Sequence, residues 1–213
     1  MKTDQLIAML ATGAEAVEPR AWQRRPALAA ATGLVAATLL IVMFVGVRED
    51  LQEAMRLPMF WIKQGFPLVL AGAAFVAVTR LARPGVILGS TVLWLLVPVA
   101  IIWVMAAVQL LGAAPEARAA LVFGKTWMEC IVSVSLLALP AFMGLFVALR
   151  LLAPTQPVCA GAMAGLLSGA IAAAAYALHC PEMDAPFIGV WYLLGMLIPA
   201  AVGAVAGSRL LRW

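Results

Sequence analysis

Long apolar stretches separated by short polar joints set the architecture of this chain. A helix needs about 20 residues to cross roughly 30 Å of hydrocarbon. Apolar runs of that order extend from Pro26 to Val47, Phe60 to Val78, Val86 to Leu111, Trp127 to Leu149, Val158 to Leu178 and Phe187 to Gly207. The expected fold is therefore all-α, a polytopic membrane protein built as a bundle of six transmembrane helices. Lys63 and Glu129 are the only charges inside these runs. Each lies close to the start of its span, where a charged side chain is expected to reach the headgroups.

The joints carry strong breakers: Arg-Pro-Gly at 83–85, Gly-Ala-Ala-Pro at 112–115, Ala-Pro-Thr-Gln-Pro at 153–157 and Cys-Pro-Glu-Met-Asp-Ala-Pro at 180–186. None leaves room for a soluble domain. The organisation expected is a tail over residues 1–25 and a membrane domain over residues 26–213. Pro98, Pro140 and Pro199 fall inside spans and are expected to kink them. The first apolar run follows a polar tail and ends Val-Gly-Val-Arg-Glu-Asp without a small-x-small cleavage site, so it reads as a retained helix.

Composition agrees with this pattern. The chain is 65% hydrophobic and 11% charged, with a mean hydropathy of +1.05, whereas soluble domains are about one quarter charged. Basic loops are retained in the cytoplasm. Lys2, Arg20, Arg24, Arg25, Arg80, Arg83, Arg150, Arg209 and Arg212 fall on the side of the termini, against Arg48, Arg56, Lys63, Arg118 and Lys125 on the other. Both termini are thus expected to face the cytoplasm of a bacterial inner membrane. The net charge of +4 is spread along membrane edges and points to no direct nucleic-acid contact.

Small residues recur every four positions in the fifth span, at Gly161, Gly165, Gly169, Ala173 and Ala177, and Gly195, Gly203 and Gly207 form a similar stripe in the sixth. Such rows let helix backbones approach closely. The simplest outcome is packing of the last hairpin within one chain; a homodimer contact or a ligand groove are the alternatives. Trp94 and Trp103 are nine positions apart and face opposite sides of a helix, so they form no aromatic box.

The available chemistry is narrow. Transporters and pumps keep ionisable groups at mid-membrane depth, and this pattern places none there. One histidine, His179, makes a Ser-His-carboxylate or His-rich metal enzyme hard to assemble, and no P-loop glycine motif is present. The expectation is a protein that binds or senses, without catalysis and without a resident cofactor. A membrane thiol oxidoreductase and a small transporter are the competing readings. The first lacks a Cys-x-x-Cys pair, and the second lacks buried charge.

Three cysteines carry what chemistry remains. Cys130 opens the fourth span and Cys180 follows the fifth, both on the side away from the termini, while Cys159 is on the opposite side and reads as structural. In an oxidising compartment Cys130 and Cys180 can form a disulfide if they come within reach. With His179, Glu129 and Glu182 nearby in sequence, they can alternatively bind a transient metal ion acting as a signal. They can also be inert small hydrophobes.

In the tail, Thr3 or Asp4 can cap a short helix with Leu6, Ile7 and Leu10 on one face. That strip fits either the inner leaflet of the lipid bilayer or a groove on a soluble partner.

The opening Met-Lys-Thr-Asp-Gln-Leu-Ile, the stretch His-Cys-Pro-Glu-Met-Asp-Ala-Pro-Phe-Ile-Gly-Val-Trp-Tyr at 179–192 and the ending Arg-Leu-Leu-Arg-Trp at 209–213 resemble the NrsF family of negative regulators of sigma F. The resemblance covers nearly the whole chain. It implies an inner-membrane anti-sigma factor that holds an extracytoplasmic-function sigma factor until a stress signal arrives. It further implies that the tail, Lys2, Thr3, Asp4, Leu6, Ile7 and Leu10, contacts that partner. By the same resemblance, Cys130 and Cys180 take part in sensing heavy metals or oxidants.

Overall fold

The computed structural model describes residues 3, 5, 7, 9 and 20–212. Six helices are long and apolar enough to cross a membrane: α1 Ala21–Val45, α2 Pro58–Leu81, α3 Thr91–Gly112, α4 Pro115–Arg150, α5 Pro157–Tyr176 and α6 Ala185–Leu210. No strand occurs among the described residues. The boundaries follow local chemistry. Proline starts α2, α4 and α5, where its missing N–H costs nothing. Gly46, at φ 88°, ends α1 in a conformation that L side chains rarely adopt.

The helices are not equal. In α5, 78% of the most apolar window is buried, against 11% in α3 and 17% in α1, so α5 is the central post and α3 lies at the rim. Its small residues explain that position. A Cβ added at Gly165 would collide with the carbonyl of Pro199, one at Gly161 with that of Gly203, and one at Gly169 would lie 2.8 Å from the Cα of Met196. The α5–α6 hairpin is thus closed backbone against backbone within one chain, the first of the outcomes expected from the glycine rows. Elsewhere, Gly33 of α1 seats Ala141 of α4, and Gly144 of α4 seats Ala29 of α1.

Of the three expected proline kinks, the clearest break is in α4, where the helix is interrupted at Ala138, two residues before Pro140. Pro98 and Pro199 lie inside helices that run on through them. Two wider turns of π type also appear, at Ile41–Val45 in α1 and Ile188–Tyr192 in α6. Each adds a residue to the turn and re-aims the side chains that follow.

In the tail, Thr3 and Ile7 are helical and exposed. Lys2, Asp4, Leu6 and Leu10 lie outside the described residues.

Candidate functional site

The strand of chain joining α5 to α6, residues 177–184, is the hub of the bundle end that lies away from the termini. Hydrogen bonds reach it from α2, α3, the loop after α1 and the turn at 124–126 within α4. Lys63 of α2 donates to the carbonyls of Cys180 at 2.5 Å and Glu182 at 2.8 Å. Arg48 donates from Nη1 to the Cys180 carbonyl at 3.5 Å, and its backbone N–H to Leu178 O at 3.2 Å. His179 Nδ1 meets the carbonyl of Gly46 at 2.8 Å. Gln109 of α3 donates to Asp184 Oδ1 at 2.7 Å and accepts from Ala185 N–H at 3.0 Å. Glu182 Oε1 accepts from Lys125 N–H at 2.8 Å.

Lys63 corrects an expectation. Its side chain does not reach toward headgroups but is 0% exposed, enclosed by protein. Besides its two carbonyls, its ammonium lies 5.6 Å from the centroid of the Tyr192 ring. Burying an ammonium is tolerated when its donors are satisfied; here two of its three N–H groups are taken by backbone acceptors of the α5–α6 connection, with the Tyr192 ring beside them. Glu129, by contrast, is exposed, as its place near the helix start suggests.

Cys130 and Cys180 are both fully buried and both free thiols, and they belong to the same core cluster. Each lies within electrostatic reach of the other and of Lys63. Tyr176 and Tyr192, with ring centroids 6.2 Å apart, complete the surroundings. The π turn of α6 carries Tyr192 into this interior, where its hydroxyl is buried without a hydrogen-bond partner among the described residues. Cys159 is half-buried at the other end of α5, where it packs against the same core at a distance from the two thiols.

The wider ligand set expected from sequence does not assemble. Among the described residues no group of three His, Cys, Asp or Glu side chains is arranged to hold a metal ion. The reason is visible in the partners. His179 is held on Gly46, Glu182 on Lys125, and Glu129 lines a surface cavity with Lys125 and Trp127. The site is a pair of thiols beside a buried ammonium.

At its edge, Arg48 forms a two-pronged pair with Asp50, Nε to Oδ1 and Nη2 to Oδ2, both 2.7 Å. That hydrogen bond holds the Asp50 carboxyl below the usual carboxylate range and the Arg48 guanidinium above its own. A depressed carboxyl contributes above the ordinary value of about pH 4 and stops contributing as pH falls through its lowered one. Backbone amide exchange in residues 47–51, taken relative to the intrinsic rate at each pH, should therefore be unchanged from neutral pH down to about pH 4 and rise only below it. Asp50→Asn should raise exchange at neutral pH. A wild-type rise that begins near pH 6 would assign the protection to another group.

Sequence reading missed Lys63, Arg48, Gln109 and the two tyrosines. The one signal available was a lysine flanked by Trp61, Ile62 and Phe66 inside an apolar run. Fold and site together define the class: a polytopic helical protein of membrane type whose polar interior gathers around two buried thiols. Comparison with known proteins narrows it. The family profile described as "Negative regulator of sigma F" matches residues 10–213, and the chain belongs to this NrsF family. It is 50% identical over 213 residues to the "Probable anti-sigma-F factor NrsF" of Azospira oryzae, with both chains covered completely. It is 40% identical over 218 aligned positions to the "Anti-sigma-F factor NrsF" of Caulobacter vibrioides, again end to end. No solved structure matches the chain.

Proposed function

We propose that this chain restrains a sigma factor of the extracytoplasmic-function class at the bacterial inner membrane. Its tail, Lys2 to Leu10, is the grip, and Cys130 with Cys180 is the sensor, on the side facing away from the cytoplasm. A heavy metal ion or an oxidant meeting the two thiols loosens the bundle end they occupy, and the tail lets go. The observation that carries the reading is the end-to-end similarity to anti-sigma-F factors.

The helices offer a route between the two ends. One end of α2 holds the connection that carries Cys180 through Lys63. Its other end leads to Arg83, whose guanidinium lies 4.1 Å from the ring centroid of Trp22, in the first turn of α1 where the tail joins. A tenfold change in sigma-factor affinity requires about 1.4 kcal/mol of coupling between the ends. That is comparable to one or two hydrogen bonds.

Deleting residues 1–12 is expected to abolish co-purification of the sigma factor while the protein still inserts in the membrane. Retained binding would remove the tail from the mechanism. Cys130→Ser and Cys180→Ser should each block release by the inducer, and Cys159→Ser should leave it intact. Equal loss at all three positions would point to general destabilisation instead.

A further inference from the structure

The end of the bundle that carries the termini holds a cavity with a different chemistry. Between the first turns of α1 and the last turns of α2 lies an open space of about 440 Å³. At the helix ends its lining is basic, formed by Arg24, Arg80 and Arg83, and among the described residues no Asp or Glu joins it. Arg83 stacks on Trp22, which fixes the plane of its guanidinium. Its Nε is buried and has no hydrogen-bond partner among the described residues. Arg80, in the same lining, is held by donating to Leu88 O and Thr91 Oγ1, both at 2.9 Å.

A buried donor without an acceptor leaves a desolvation cost unmet. An oxyanion with several acceptor oxygens meets it, and guanidinium groups match phosphate well. About one turn further along the same two helices the lining is apolar, made by Ala27, Phe75 and Val76, with Val76 46% exposed. A free phosphate ion or an acidic peptide would use only half of such a cavity. A phospholipid uses both halves. Basic pockets between transmembrane helices are a known way of holding acidic headgroups.

We propose that this cavity is a binding site for an anionic phospholipid, its phosphate on Arg24, Arg80 and Arg83 and its acyl chain along Phe75 and Val76. The site brackets the first turn of α1, so the bound lipid braces the root of the tail.

The test uses the full-length protein in bilayer discs of phosphatidylcholine, alone or mixed with phosphatidylglycerol. Lipid retention is read by native mass spectrometry and stability by thermal unfolding. The wild type should retain phosphatidylglycerol selectively and unfold at a higher temperature in its presence. Arg83→Gln should weaken retention about fivefold, whereas Arg150→Gln, an exposed arginine at the same bundle end but outside the cavity, should not. Arg24→Gln, at an exposed position, serves where Arg83→Gln fails to accumulate, with the same loss expected. Equal losses in the cavity and Arg150 variants would reduce the effect to diffuse surface charge and overturn the site. Reproduction of the whole stabilisation by inorganic phosphate in phosphatidylcholine discs would overturn the lipid assignment.

Discussion

Gly165→Val is expected to prevent accumulation of the folded protein. The Cβ it introduces meets the Pro199 carbonyl and lies 2.8 Å from the Cα of Ala200, both backbone, so no side chain can swing aside. Relief requires α5 and α6 to separate, and α5 is the post against which α1, α2, α4 and α6 pack. Overfilling a packed core costs about 1–3 kcal/mol when side chains can adjust. Here the whole helix pair must move, and the cost should reach the upper end of that range or beyond it. The measurement is the yield of monodisperse protein after extraction in mild detergent, with the midpoint of thermal unfolding. Gly72→Ala is the control, because nothing lies within 4 Å of a Cβ at that position. It should accumulate like the wild type. Normal yield and an unchanged midpoint for Gly165→Val would mean that α5 and α6 do not pack this closely.

Lys63→Met should open the connection between α5 and α6 without dispersing the bundle. Methionine fills nearly the same space but donates nothing, leaving the carbonyl of Glu182 without its ammonium and that of Cys180 with only the longer bond from Arg48. A bare buried acceptor costs about 1–3 kcal/mol; relief of the buried charge offsets part of this. A net loss of about 1.4 kcal/mol makes an open state tenfold more populated. Labelling of Cys180 by a small maleimide, in a chain where Cys130 and Cys159 are serine, should accelerate by about that factor. Lys63→Arg keeps the donors and should restore much of the protection. An unchanged rate in Lys63→Met would assign the hold on Cys180 to Arg48 and His179 instead.

These two positions show how unevenly the chain reveals itself. Gly165 was legible: small residues four apart, beside a second such stripe, announce a close helix pair, and the hairpin connection makes α6 the natural partner. Lys63 was not. A lysine near the start of an apolar span has two solutions, reaching out to the headgroups or turning inward to acceptors, and hydropathy along one helix is the same for both. The acceptors that decide between them come from residues 180 and 182, more than a hundred positions later.

The cysteines fall between these cases. Helix counting alone put Cys130 and Cys180 at one end of the bundle and Cys159 at the other. Their burial in one core cluster was not foreseeable, because it depends on the α5–α6 connection being drawn in by Lys63 and Arg48, residues far away in sequence. The same folding sends His179 to Gly46 and Glu182 to Lys125, which dissolves the ligand set that sequence proximity suggested. Neighbours in sequence diverged because a short connection must satisfy its buried backbone and side-chain polar groups wherever partners are available.

By itself, the sequence determined the number of helices long and apolar enough to cross a membrane, the close packing of the last two and the placing of Cys130 and Cys180 at the bundle end opposite the start of α1. All of these follow from apolar length, breakers and residue size, properties carried locally by the chain. Tertiary structure alone decided that α5 is the central post, that Lys63 is an internal clasp and that Arg83 stacks on Trp22 beside a cavity lined by arginine. Those depend on which distant groups meet, and a buried polar group takes its role from the partner that satisfies it.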